Sequence, residues 1–348
     1  MNNSLELIIF SAYHNVVKQK DSSTMETVAR KAGVSITTVS HVINKTRSVS
    51  KETKNAVLQA IKALNYQFPK MEKPNTNEKH VKIGVILADA REDFSTGILK
   101  NIESVATDYN VSVIFCDSEV NSEKEEENIS TMLEQDVSGL LIAPVNADHV
   151  PKLLNGNSIP VVLIDRQYET HSFLFVGINN FRSCYAGTKY LIEKGAKNIG
   201  FIGYSGAVYT IMQRALGYKA AYLESGGSPH AISLRYHKED SFPLIKGFIE
   251  EFQLDGIICA TSSICYEVIV VLDTLDKEIQ KNMKIICYDD NRWLDYLKYP
   301  ISVVSQPIAE ICNAAIVNLL QLVDQPDNNT GMKRELLFDT NIIDRIIS

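Results

Sequence analysis

Long apolar runs are missing from this 348-residue chain. Stretches such as residues 7–10 and 269–272 are wholly apolar but fall far short of the ~18–20 residues a membrane span needs, so no membrane partner is expected. No basic segment precedes an apolar one near the start, because Lys18 and Lys20 come after residues 7–10. A secretory signal is therefore not expected. Cysteine is sparse and unpatterned. Cys116, Cys184, Cys259, Cys265, Cys287 and Cys312 show no Cys-x-x-Cys or Cys/His metal spacing, and most sit in apolar runs. They read as reduced core cysteines of a cytoplasmic protein, with no metal or other cofactor. With 17 Gly and 10 Pro, the chain is neither collagen-like nor low in complexity. What remains is ordinary globular composition, 45% hydrophobic and 22% charged, in a length that suits two or three domains.

The net charge of −7 is unevenly spread. Residues 22–79 hold ten Lys and Arg against Glu26, Glu52, Glu72 and Glu78, a net of +6. Residues 1–21 balance, which leaves −13 for residues 80–348. A small basic module on a large acidic body is a nucleic-acid-binding pattern. Chance variation in surface charge would look the same, so the residues inside the module must decide.

Those residues describe a helix-turn-helix. Val28, Ala29 and Ala32 repeat at helical spacing and make a short buried face. Ala29 is small, as close helix crossing requires. Gly33 supplies the positive φ of a sharp turn, Val34 plugs it, and Ser35 suits an N-cap. Val39, Val42 and Ile43 give the second helix its inner face. A third helix is expected from Ser50, with Val57, Ile61 and Leu64 inward and Lys51, Lys54 and Lys62 outward. A plain three-helix bundle without a ligand is the bland alternative, and the joint pattern with the +6 charge speaks against it.

The run from Thr24 to Tyr66 resembles the headpiece of the LacI/GalR family of bacterial repressors. The resemblance rests on Ala-Gly-Val-Ser at 32–35, Thr-Thr-Val-Ser-His-Val-Ile-Asn-Lys-Thr-Arg at 37–47 and Glu-Thr at 52–53. It implies that the second helix enters the major groove of double-stranded operator DNA. Ser35, Ile36, Thr37, Thr38, Ser40, His41, Asn44 and Lys45 then form the DNA-binding set. Ile36, Thr37 and His41 fall on base-reading positions, while Ser40, Asn44 and Lys45 are nearer the backbone. The chemistry agrees: His can donate to guanine, and Thr can bond a base or touch a thymine methyl. Ile36 suits apolar base contact or simple exposure equally.

Two segments depart from the family pattern. Residues 67–79 stand where members carry a short Ala-Arg-x-Leu hinge helix. Here Lys73 and Asn75 replace the Arg and Leu, and Pro74 interrupts the helix. The stretch reads as a polar linker, with Met71 as a substitute for the missing apolar wedge. Residues 1–21 are an extension the family lacks, readable as a short packing helix or as an unstructured tail.

From residue 80 on, apolar strand runs alternate with helical patterns. Strands are expected at 81–88, 111–116, 139–143, 161–164, 173–178, 199–203, 232–236, 256–260 and 284–288. Helices are expected at 94–109, 123–135, 181–194, 211–224 and 264–275. Continuous apolar strands with helical crossovers imply buried parallel sheets. The expected fold is α/β: an all-α headpiece at 22–66, then a two-lobed body at 80–348 like periplasmic sugar-binding proteins. One lobe would hold 80–178 with 303–330, the other 179–302 with 331–348. Ligands bind such sheets at the carboxyl ends of the strands. By resemblance, Phe94 and Ser95 line the first-lobe side of the cleft, and Asp165-Arg166 follows the fourth strand. Arg214, in Arg-x-x-Gly-Tyr, and Asp289, in Asp-Asp, would hold the effector. Trp293 suits either stacking on a sugar ring or core or dimer packing.

An enzyme is not expected. Gly200 to Gly206 reads GxxGxxG with no acidic ribose ligand at the right spacing, and no P-loop, GxSxG or HExxH is present. The sequence reads as a cytoplasmic homodimeric transcription regulator, most simply a repressor. Its effector would be a sugar or sugar derivative, with a purine second. The alternatives are a solute-binding protein or a dinucleotide-dependent enzyme on the same body.

Overall fold

A computed structural model of the chain describes residues 25–35, 38–39, 42, 50–64, 81–154, 158–170, 172–236, 241–325 and 334–346. The chain forms two units, Met1–Glu72 and Lys73–Ser348.

In the first unit, α1 (Met25–Ala32) and α2 (Lys51–Ala63) pack around Val28, Ala29, Val57 and Ala60, with Val39 and Val42 buried between them. Gly33 takes φ +68°, and the Val34 amide donates to the Ala29 carbonyl at 3.1 Å, which closes α1. Ser35 starts the next helical segment by accepting from the Thr38 amide at 3.1 Å. Ser50 caps α2 by accepting from the Thr53 amide at 3.2 Å. Lys54 and Lys62 are exposed.

The second unit has two sheets. The first lobe contains β1 (Lys82–Leu87), α3 (Asp93–Asp108), β2 (Ser112–Asp117), α4 (Ser122–Glu134), β3 (Gly139–Ile142), β4 (Val161–Ile164) and β5 (Leu174–Ile178). The second contains α5 (Asn180–Glu193), β6 (Ile199–Tyr204), α6 (Tyr209–Glu224), β7 (His230–Leu234) and α7 (Ser241–Glu251). It continues with β8 (Gly256–Cys259), α8 (Ser262–Leu272), α9 (Lys277–Asn282), β9 (Lys284–Tyr288) and β10 (Ile301–Ser305). The chain then returns through α10 (Ile308–Asp324) and β11 (Arg334–Phe338), and β12 (Asn341–Ile343) ends the second sheet.

The sheet orders are β11-β5-β4-β3-β1-β2 and β12-β10-β9-β8-β6-β7. Every pairing is parallel except β10 with β12. The two halves thus repeat one plan, β4 in the first occupying the place of β9 in the second. The central strands are buried on both faces, as helical crossovers on each side require. Where α5 crosses α6, Gly217 is obligatory: a Cβ there would stand 2.2 Å from the Phe181 carbonyl oxygen.

The expected lobe boundaries near the C-terminus need correction. β10 remains in the second sheet through Ser305, paired with β9 and β12, so the return does not begin at 303. It comes at Gln306-Pro307, where proline cannot donate to a ladder and instead starts α10. β11 belongs to the first sheet, where it covers the open edge of β5, so 331–348 is not wholly second-lobe. All six cysteines are free thiols, five buried and Cys116 half-buried. Among the described residues no helix is long and apolar enough to cross a membrane.

Candidate functional site

The two repeated halves end in the same device. Asp165 follows β4 with φ +64°, and its amide donates to the Val176 carbonyl of the neighbouring strand at 3.1 Å. Asp289 follows β9 with φ +72°, and its amide donates to the Val304 carbonyl at 3.1 Å. Aspartate tolerates this left-handed conformation better than most side chains. Each lobe therefore turns a carboxylate out of the carboxyl end of the same strand.

Basic groups stand beside both acids. Arg214, on α6, is 3% exposed. Its Nε donates to Asn180 Oδ1 at 2.8 Å, and its Nη1 donates to the Ala260 carbonyl at 2.5 Å. The guanidinium carbon stands over the Tyr288 ring, 3.5 Å from the centroid. Stacking and two committed donors leave it one orientation. Asp289 is held by Gln306, whose Nε2 donates to Oδ1 at 2.7 Å. Burial pushes the Asp289 carboxyl up to about 7 from an ordinary 3.8, and the nearby Arg214 and the Gln306 bond only partly offset it. Burial also raises Asp165, against the pull of Arg166 and Arg214. Arg166 Nε lies 3.6 Å from Asp165 Oδ2, while its buried Nη1 has no hydrogen-bond partner.

The structure thus brings Asp165, Arg166, Arg214 and Asp289 together across the two lobes. Phe94 and Ser95 are half-buried in the first turn of α3, with Phe94 packed against the core. Trp293 is partly buried against the core and also reaches the first lobe. Its Nε1 donates to Asp93 Oδ2 at 3.2 Å, and its ring meets Tyr266 edge-on at 6.2 Å. Several partners were missed. Tyr236 bonds Arg166 and stacks on Tyr204 at 3.9 Å. The expected strand 232–236 includes it, but β7 stops at Leu234, which leaves Tyr236 beyond the strand end. Glu92 accepts from Ser263 Oγ at 2.6 Å. Asn180, Tyr204 and Gln306 lie at or just past strand ends, where the apolar pattern stops and marks no individual role.

In the headpiece, Ser35 and Thr38 share a hydroxyl contact of 2.7 Å as part of the helix start. Ile36, Thr37, Ser40, His41, Asn44 and Lys45 lie outside the described residues, as do the extension at 1–21 and the linker at 67–79.

Two family models match the chain: the bacterial regulatory proteins of the lacI family over residues 24–68, and the periplasmic binding protein domain over residues 83–326. The chain belongs to the lacI family. It is 29% identical over 317 residues to the HTH-type transcriptional regulator RegA of Clostridium saccharobutylicum, covering 88% of this chain and 94% of that one. It is 26% identical over 336 residues to the HTH-type transcriptional repressor PurR of Pasteurella multocida, covering 93% of this chain and all of that one. The lac repressor dimer bound to operator and an anti-inducer has the same fold. Its TM-score is 0.65 at 19% identity, with 91% and 96% of the two chains covered. This LacI-family chain is a DNA-binding transcriptional regulator, and its helix-turn-helix is the DNA-binding part. The match at 24–68 disfavours the solute-binding and dinucleotide-enzyme alternatives, for neither needs a helix-turn-helix.

Proposed function

We propose that this regulator is a homodimeric repressor whose operator affinity is set by a small polyhydroxy or anionic effector bound between the lobes of its body. A sugar or sugar derivative is favoured, with a purine second. The observation that carries the reading is the fixed Arg214 guanidinium beside the buried Asp289 carboxyl, facing Asp165 and Arg166 of the other lobe. Carboxylates accept from hydroxyl pairs, and a guanidinium donates in a planar fork to hydroxyl, carboxylate or phosphate. An effector contacting both lobes differs in affinity between open and closed forms, which is the condition for shifting a conformational equilibrium. Dimerisation is supported by large exposed apolar groups on one lobe: Tyr266 and Val270, four residues apart on α8, are 62% and 45% exposed, and Tyr296 is 78% exposed.

On the DNA side, Ser35, Ile36, Thr37, Thr38, Ser40, His41, Asn44 and Lys45 are the proposed contact set, on a module of charge +6 over residues 22–79. The test is isothermal titration of the full chain with sugars, sugar acids, sugar phosphates and purines, repeated on Arg214→Ala. Binding by one class, lost in the variant while the fold is kept, supports the reading. Binding that survives Arg214→Ala unchanged refutes the site.

A further inference from the structure

Several contacts join the lobes without using the Arg214–Asp289 pair, among them a backbone bond from the Ala147 amide to the Ala207 carbonyl at 2.8 Å, the edge-on Phe175 and Tyr209 rings, and three side-chain hydrogen bonds. Two of these hydrogen bonds converge on the start of α3, at its cap Glu92 and its first residue Asp93. Ser263 Oγ, at the start of α8, donates to Glu92 Oε2 at 2.6 Å. Trp293 Nε1, on the 3₁₀ turn Arg292–Tyr296, donates to Asp93 Oδ2 at 3.2 Å. The third joins Arg166 and Tyr236. Glu92 and Asp93 are adjacent residues of the first lobe, whereas Ser263 and Trp293 come from separate segments of the second. The turn that carries Trp293 is itself anchored: Arg345 Nη2 donates to Asp290, just before the turn, at 2.8 Å and to Asp295, within it, at 3.0 Å. The indole is also steadied by the Tyr266 ring. Trp293 is therefore presented to Asp93 from a rigid platform, and neither hydrogen bond passes through an effector.

We propose that Ser263 and Trp293 form a clasp on Glu92-Asp93 that sets how far the two lobes stay closed in the effector-free regulator. The inference rests on the two-lobed ligand-controlled reading above but not on which residues bind the effector. A protein whose binding-competent form is only partly populated binds with an affinity reduced by that fraction, so the clasp tunes the response as well as the resting state. The acceptors sit where they serve this purpose well. Both are carboxylates at the amino end of α3, where the helix dipole favours negative charge, and a carboxylate is a strong acceptor.

Trp293 is the only tryptophan in the chain, so its fluorescence reads the clasp directly. The experiment uses the full chain with no effector added. Emission maximum and acrylamide quenching are measured for the wild type, Asp93→Ala and Ser263→Ala, with far-UV circular dichroism on each. Asp93→Ala removes the indole's acceptor. Ser263→Ala removes the other hydrogen bond and leaves Trp293, Asp93 and Tyr266 in place. If the two bonds act as one clasp, each variant raises the open population roughly 2- to 10-fold, the range for losing one hydrogen bond. Trp293 emission then shifts to the red and quenching increases in both. Small-angle scattering should show a larger radius of gyration in both. Ser263→Ala with wild-type quenching and radius overturns the proposal, because the Trp293 contact would then be local. That failure would leave the Arg214→Ala titration untouched, so the two readings fail separately.

Discussion

Replacing Asp289 by Asn should stabilise the protein increasingly as pH rises from about 4 to about 7, with no gain below that range. The carboxyl is 7% exposed and lies at about 7 in the folded chain, against an ordinary 3.8. Burial is the main cause, and Arg214 does not fully compensate it. The sign follows from proton counting. Between these two values the folded state holds a proton that the unfolded state has lost. Stability therefore falls as pH rises from about 4 to about 7 and is flat above that. The whole gap corresponds to about 4 kcal/mol, and the part lost between pH 5 and pH 8.5 is about 3 kcal/mol. Asn keeps the acceptor for Gln306 Nε2 and the shape of the turn, but it cannot ionise. Urea unfolding of the wild type and Asp289→Asn at pH 5, 7 and 8.5, followed by circular dichroism, gives the difference directly. The variant should gain about 3 kcal/mol relative to the wild type across that range. A difference independent of pH would show that Asp289 is already ionised at low pH and fully paired with Arg214. An effector that uses the Asp289 carboxylate should bind more tightly as pH rises from 6 to 8 in the wild type, and without that slope in the variant.

Other expectations test separate parts of the molecule. Glu125 is fully buried in α4, accepts from the Val145 amide at 3.1 Å and is raised to about 7 by burial. Glu125→Gln should therefore also gain stability between pH 5 and 8.5, by about 2–3 kcal/mol in the same urea assay, and a loss at pH 8.5 would contradict the account. Gly217→Ala should lower stability by about 1–3 kcal/mol, because its Cβ would collide with the Phe181 carbonyl and force α5 and α6 apart. A melting temperature equal to the wild type would show that the helices can move at no cost. His41→Ala should relax base preference at one symmetric operator position by about 1–3 kcal/mol, whereas Lys54→Ala should weaken all sequences alike. Selection from a random DNA library separates the two, and an unchanged preference in His41→Ala would move the recognition register.

How much could be read beforehand depended on which physical signal each segment carries. Buried parallel strands are short continuous apolar runs, and β4 and β9 occupy the expected ranges 161–164 and 284–288 exactly as residues of that kind should. Segments without a distinct signal were passed over. α7 carries Pro243 in its first turn, where proline is tolerated but looks like a breaker in sequence. β11 and β12 are short edge strands: β11 joins β5, 160 positions back (334 against 174), whereas β12 folds back on β10 in the other sheet (343 against 303), and nothing in either run says which sheet it joins. Headpiece packing was legible because it needs so few residues: small Ala29, left-handed Gly33 and capping Ser35 each have one physical job.

The cleft was legible as a cluster but not as a mechanism, and the reason lies in its two aspartates. A glycine in the left-handed region announces itself by type, whereas Asp165 and Asp289 adopt the same conformation without any mark in the sequence. The cost is twofold at each position, a strained backbone and a carboxyl driven toward neutrality by burial. Packing alone would favour a Gly or Asn at either turn. Keeping an acid at the equivalent strand end of both lobes makes sense when an external partner donates hydrogen bonds to both. A hydroxylated effector between the lobes would do so while drawing the two strand ends together. The same charges that weaken the empty cleft would then favour its closed, occupied form, and the strain at Asp165 and Asp289 becomes part of the differential affinity on which control of the regulator depends.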